Sequence, residues 1–304
     1  WAENSYFYRL TPWHNDPVSD PASDVVYLQD QESGELWSAT PAPVRTETEF
    51  TVRHGPGQSR FQQTHAGIAT ELTLGLVEDA AVKLSLLRIT NTGRRPRRIT
   101  LTTFVEWTLG ALREHTQHQV RTEYDWEQQI FLARNTFDPQ FAGLTAFHTM
   151  SERVLRYTGS RREFLGRNGS TANPIALKPG GQLQGTTGAG IDPCATLQAV
   201  LELEPGESRE VVILLGAHDT EAGACAAATN FRDVGRAKAA IAQSVAAWQR
   251  RLSVVQVRTP EPGFDAMLNR WTLYQALACR MWARSALYQS SGAYGFRDQL
   301  QDTM

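Results

Sequence analysis

From Tyr27 to about Ala217, apolar and polar positions alternate with a period of two, in short runs separated by turn formers. In "ITLTTFVEW" (99–107), Ile99, Leu101, Thr103, Val105 and Trp107 fall on one side, and Thr100, Thr102, Phe104 and Glu106 on the other. "VKLSLL" sets Val82, Leu84 and Leu86 on one face, and "TLQAVLEL" does the same with Leu197, Ala199, Leu201 and Leu203. Such alternation predicts half-buried antiparallel strands. "NTG" at 91–93 and "EPGES" at 204–208 supply the turns between them. A long succession of such strands with little helix predicts a mainly-β fold, a large antiparallel β-sandwich.

After His218 the period changes. "RAKAAIAQSVAAWQRRL" places Ile241, Val245, Trp248 and Leu252 at helical spacing on an Ala-rich background. "TPEP" at 259–262 breaks the chain, and Pro262 suits the start of a second helix. That helix carries Phe264, Leu268, Trp271, Ala278 and Trp282 along one stripe. The expected order is therefore a sandwich over 1–217, a helical linker over 218–262, and from 263 to 304 the opening of an all-helical domain. A domain of ~40 residues buries too little surface to stand alone. The first residue is Trp1, and "FRDQLQDTM" at the end reads as a helix cut in its second turn, so the chain is expected to be a piece of a larger protein.

Charge narrows the partners. With 30 basic and 32 acidic residues the formal net charge is −2, which gives no footprint for nucleic acid. The one dense basic cluster, "GRRPRR" at 93–98, lies between two strand runs and reads as a solvated turn. Cys194, Cys225 and Cys279 have neither metal spacing nor a disulfide framework, which favours a reducing compartment. No apolar run approaches the ~18 residues of a membrane helix. The seven histidines lack metal spacing, with His115 and His118 three apart and no third ligand near. "RHGPGQSRF" (53–61) fits no nucleotide-binding glycine pattern and reads as a hairpin turn.

Three stretches concentrate candidate chemistry. "WAENSYFYRLTPWHNDPVSDP" (1–21) crowds rings, Arg9, His14 and acids into a segment without periodicity. It is either a loop packed on the sandwich or the lip of a polyol site, since sugars offer apolar C–H faces to rings and hydroxyls to planar charged groups. "SRREFLGRNGSTANP" (160–174), which contains Arg167, is either an exposed connection or a functional loop. "SSGAYGFRDQLQDTM" (290–304) ends the chain with Arg297, Asp298 and Asp302. At i and i+4 of a helix the two acids share one face, about 6 Å apart. That spacing suits a glycosidase acid–nucleophile pair, a grip on sugar hydroxyls, or a solvated helix surface.

Taken in order, "NSYFYRLTPWHNDPVSDP", "RHGPGQSRF", "RREFLGRNGS", "NRWTLYQ" and "GAYGFRDQLQD" resemble glycoside hydrolase family 94, the inverting glycoside phosphorylases. The wording of the first is closer still to the C-terminal phosphorylase-like module of cyclic β-1,2-glucan synthases. The resemblance implies a galactose-mutarotase-like super-sandwich, a helical linker and the first helices of a truncated (α/α)6 barrel. It implies that Arg297 and Asp302, with Asp298 beside them, hold the glucosyl residue of the donor, with Arg9 and Arg167 as further substrate-binding candidates. A general-acid aspartate is then expected beyond Met304, so the chain itself holds no catalytic residue and is inactive alone. No metal or organic cofactor is implied. The implied partners are a β-linked gluco-oligosaccharide, inorganic phosphate or glucose 1-phosphate, and a second copy of the chain reached by the "GRNGS" loop at 166–170. The implied setting is the cytoplasmic face, with the parent an inner-membrane protein and this segment soluble. A carbohydrate-binding or dimerisation module, and a hydrolase on the same architecture, are the alternative readings.

Overall fold

A computed structural model describes residues 1–283, apart from 3, 4, 6, 15, 17, 19 and 20, with backbone only at 279, 280 and 283. The strands are β1 (Asp24–Asp30), β2 (Leu36–Ser38), β3 (Thr51–Gly55), β4 (Gln58–His65), β5 (Ile68–Leu76), β6 (Val82–Asn91), β7 (Arg97–Glu106), β8 (Val120–Asp125), β9 (Ile130–Asn135), β10 (Thr145–Met150), β11 (Arg156–Ser160), β12 (Pro193–Leu203) and β13 (Ser208–His218). They form a five-stranded sheet, β11-β12-β7-β1-β2, and an eight-stranded sheet, β3-β4-β5-β6-β13-β10-β9-β8. The paired strands are antiparallel throughout. The two sheets face each other across a core that includes Leu28, Trp37, Leu101 and Trp107 from one, and Ile68, Leu87, Ile89 and Phe131 from the other. This is the antiparallel sandwich that the period-two pattern predicts.

The half-buried reading of its central strands is corrected. Every residue of β7 from Ile99 to Glu106 is buried. Its second face is covered by α2 (Arg161–Leu165) and the chain after it: Phe104 stacks on Phe164 with centroids 5.0 Å apart, and Leu165, Ala176, Leu177 and Leu183 complete the cover. On β6 the faces divide the same way. Leu87 and Ile89 enter the inter-sheet core, while Val82, Leu84 and Leu86 pack under α3 (Glu221–Phe231) and α4 (Val234–Leu252). Both sheets are thus covered over much of their outer faces, which makes four stacked layers rather than two.

The basic turn is solvated as expected, with one exception. Arg95 and Arg98 pair at the surface with Glu32 and Glu202, but Arg97 is mostly buried against the carboxylate of Asp30. Burial alone would raise the Asp30 carboxyl, but Arg97 and the amides of Ser33 and Glu32 outweigh it and hold it below 3.8. A second buried contact ties the sheets together. His148 of β10 donates from Nδ1 to the Leu214 carbonyl at 2.8 Å, so its unprotonated Nε2 accepts from the Thr103 hydroxyl of β7 at 2.7 Å.

Helices start where their caps allow. Thr220 accepts from Gly223 N–H and Asp233 from Arg236 N–H, opening α3 and α4. α4 buries Ile241, Trp248 and Leu252 as its spacing predicts, with Val245 half-buried. The next helix, α5 (Pro262–Ala266), begins with Glu261 as cap and Pro262 in its first turn, and the helical backbone runs on to Ala283. Along its stripe Phe264, Leu268, Trp271 and Trp282 are exposed, and Trp282 also reaches back to Trp248, 5.1 Å between centroids.

Candidate functional site

The sequence-predicted site residues fall in three places. Arg297, Asp298 and Asp302 lie outside the described residues. Arg167 is exposed on the connection that follows α2. Arg9 is 5% exposed: its backbone bridges to Gly110, Nε donates to the Ser5 carbonyl at 3.0 Å and Nη1 to the Ala111 carbonyl at 2.7 Å. Its guanidinium also lies 5.7 Å from the Trp13 ring centroid. Arg9 therefore fixes the N-terminal segment onto the connection after β7.

The "RREFLGRNGS" stretch is partly pinned and partly open. Ser160 caps α2 by accepting from Glu163 N–H, and the Glu163 carboxylate accepts from Gln184 N–H and the Thr186 hydroxyl, each at 2.6 Å. Arg161 joins a charge quartet that spacing could not reveal. Glu106 Oε1 stands 2.6 Å from Arg113 Nε and 3.1 Å from Arg161 Nε, charge contacts outside hydrogen-bond angles. Asp192 pairs with both arginines on the other side. Burial pulls the Arg113 guanidinium below its ordinary value, opposed by Glu106. Beyond this anchor, residues 167–170 are exposed.

The third place is where the β3–β4 hairpin meets the helices. Pro56 and Gly57 turn "RHGPGQSRF" as predicted, with Gly57 at φ +75°. A cleft of about 450 Å³ lies between this hairpin and the last helix, lined by His54, Ser59, Leu252, Arg270, Trp271 and Tyr274. Beside it Trp248 packs on Tyr274 at 4.8 Å. Arg251 lies over the Trp248 and Trp282 rings at 5.7 and 5.5 Å while bonding Glu78 at 2.7 Å. Rings, a guanidinium and an imidazole around an open cleft can grip a polyol or seat further helix, but they include no evident nucleophile. Among the described cysteines, burial pushes the Cys194 and Cys225 thiols up, away from thiolate chemistry. Among the described residues no group of three or more His, Cys, Asp or Glu stands together as metal ligands.

The profile for "Glycosyl hydrolase 94, supersandwich domain" matches residues 1–234. The chain belongs to glycosyl hydrolase family 94. The profile for the catalytic domain of the same superfamily matches residues 247–304, so the family 94 boundary region falls on α4 and the aromatic cluster around Trp248. Over its whole length the chain is 37% identical to cyclic beta-(1,2)-glucan synthase NdvB of Rhizobium meliloti (strain 1021), covering 11% of that protein. It is 28% identical to N,N'-diacetylchitobiose phosphorylase of Vibrio proteolyticus over 98% of this chain and 38% of the relative. It is 28% identical to solabiose phosphorylase of Paenibacillus borealis over 91% and 36%. The chain thus spans about a tenth of the first relative and under two-fifths of the other two.

Proposed function

We propose that this chain supplies the sandwich (1–217), helical linker (218–262) and first barrel helices (263–304) of a glycoside phosphorylase or glucan synthase module acting on β-linked gluco-oligosaccharides. The observation that supports it most is the ordered match of both family 94 profiles, together with whole-chain identity to a relative named for cyclic β-1,2-glucan synthesis. The Vibrio and Paenibacillus relatives are named as phosphorylases.

In this reading inorganic phosphate is the co-substrate. An inverting hydrolase needs one carboxyl to protonate the leaving oxygen and another to activate water on the opposite face. Phosphate is already an anionic nucleophile, so a phosphorylase replaces the base with donors that place phosphate under the anomeric carbon. Arg297 and Asp302, with Asp298 beside them, hold the glucosyl hydroxyls, and the general acid lies in sequence beyond Met304. Arg9 acts by fixing the N-terminal rim, and Arg167 lies on the loop that reaches a second copy in a homodimer. The same reading places the segment on the cytoplasmic face of an inner-membrane parent. Among the described residues no helix is long and apolar enough to cross a membrane.

The test is release of glucose 1-phosphate from β-1,2-gluco-oligosaccharides and phosphate. A protein carrying the complete catalytic domain is expected to release it, and the 304-residue chain is not, because losing the general acid alone costs roughly 10²- to 10⁴-fold. Turnover by the 304-residue chain contradicts the assignment.

A further inference from the structure

The outer face of the eight-stranded sheet is divided. Toward β13 its residues are apolar and sealed by α3 and α4. Toward β3 they are polar and open, and register sets them in rows. Thr51, Gln62, Glu71, Arg88 and Glu210 stand side by side across β3, β4, β5, β6 and β13. The next row runs Arg53, Arg60, Thr73, Leu86. Where these rows meet α4 the surface folds into a groove of about 420 Å³, within the range of small-ligand sites.

The groove has a floor of Leu86, Ile241 and Val245, and its walls hold hydrogen-bonding capacity that the protein does not use. The side-chain amides of Gln58 and Gln249 have no bonding partner among the described residues, and Arg60 has only a 3.9 Å charge contact with Glu71. Arg88 and Lys238 are spent on Glu210, at 3.0 and 2.6 Å. We propose that this groove is a second carbohydrate site, separate from the donor site, that binds a neutral gluco-oligosaccharide along the edge of α4.

The chemistry selects a polyol over an anion. Glu71 and Glu210 are interleaved with Arg60, Arg88 and Lys238, so each cation already faces a carboxylate and the lining's net charge of +1 gives phosphate no concentrated positive patch. Planar amides and a guanidinium match hydroxyls that both donate and accept. An apolar strip suits the C–H face of a pyranose ring. The neutral, polyhydroxylated class rests on the groove alone; glucose as its sugar rests on the proposed function.

The test is calorimetric titration of the 304-residue chain with β-1,2-linked glucotetraose and cellotetraose, with inorganic phosphate as the anion probe. At least one oligosaccharide is expected to bind with a dissociation constant of about 1 mM or tighter. Arg60→Ala combined with Gln249→Ala should weaken it by roughly tenfold or more, the loss of about one buried hydrogen bond. Ala242→Trp, which fills the groove from the exposed side of α4, should weaken it as much, with circular dichroism confirming both folds. No binding of either oligosaccharide by the folded chain, unchanged affinity in these variants, or displacement by phosphate overturns the proposal. Groove binding without phosphorolysis by the complete protein would leave this site standing and count against the proposed function.

Discussion

Gly57 and Trp248 are fitted to each other: a Cβ placed on Gly57 would lie 2.8 Å from Cδ1 of the Trp248 indole. The hairpin turn of the sandwich is thereby held against the helix that leads to the catalytic-domain match, and Trp248 passes the contact on to Tyr274 and Trp282.

Gly57→Ala should therefore destabilise the chain more than a left-handed turn alone explains. Gly34 has the same φ of +75° with nothing within 4 Å of an added Cβ, and so isolates the backbone cost. Urea unfolding is expected to show about 1 kcal/mol lost in Gly34→Ala and about 2 kcal/mol or more in Gly57→Ala. Equal losses would mean that the Trp248 contact yields without cost.

Acid should weaken the sandwich in two steps. Burial, the largest influence, lowers His148 from 6.5 to about 4. Between those values the unfolded chain binds a proton that the folded chain refuses, so stability falls as pH drops from about 6.5 to 4, by about 3 kcal/mol. Asp30, held below 3.8 by Arg97, adds a further loss under that value as its carboxylate is protonated. Denaturant midpoints measured across pH 4 to 7 should show the first slope, and His148→Gln, which keeps one donor and one acceptor, should flatten it. An unchanged slope in that variant removes His148 as its source.

Glu106 is the shared partner of Arg113 and Arg161, so Glu106→Ala leaves two mostly buried cations without it. A loss of about 3 kcal/mol is expected. Because Arg161 opens α2, cleavage by trypsin after Arg167 should accelerate before global unfolding begins. Wild-type cleavage kinetics in Glu106→Ala would show that the quartet does not anchor this loop.

The period-two runs announced their strands because alternation is a local property, and the 3.6-period of Ile241, Trp248 and Leu252 announced α4 for the same reason. What covers each strand was not legible. Phe104 reads as an outward position until Phe164, sixty residues on, stacks upon it. Arg97 reads as a solvated charge until Asp30 closes on it from β1. His148 carried no metal spacing, and its part in joining the sheets depends on Thr103 and Leu214 from two other strands. The groove beside α4 exists only once cross-strand register aligns Arg60, Thr73 and Leu86. Its one trace in the sequence is a set of polar residues, Gln58, Arg60 and Gln62, at alternate positions of β4. Arg297, Asp298 and Asp302, legible through family wording, lie outside the described residues.

The decisive measurement is steady-state phosphorolysis by the protein in which this chain continues into its complete catalytic domain, with β-1,2-gluco-oligosaccharide and inorganic phosphate as substrates. Glucose 1-phosphate is the expected product. Under the proposed assignment each of Arg297 and Asp302 bonds sugar hydroxyls, so Arg297→Ala and Asp302→Asn, folded by circular dichroism, should lower kcat/KM by roughly 100-fold or more. Near-normal kcat/KM in both folded variants, or free glucose in place of glucose 1-phosphate, would contradict the assignment.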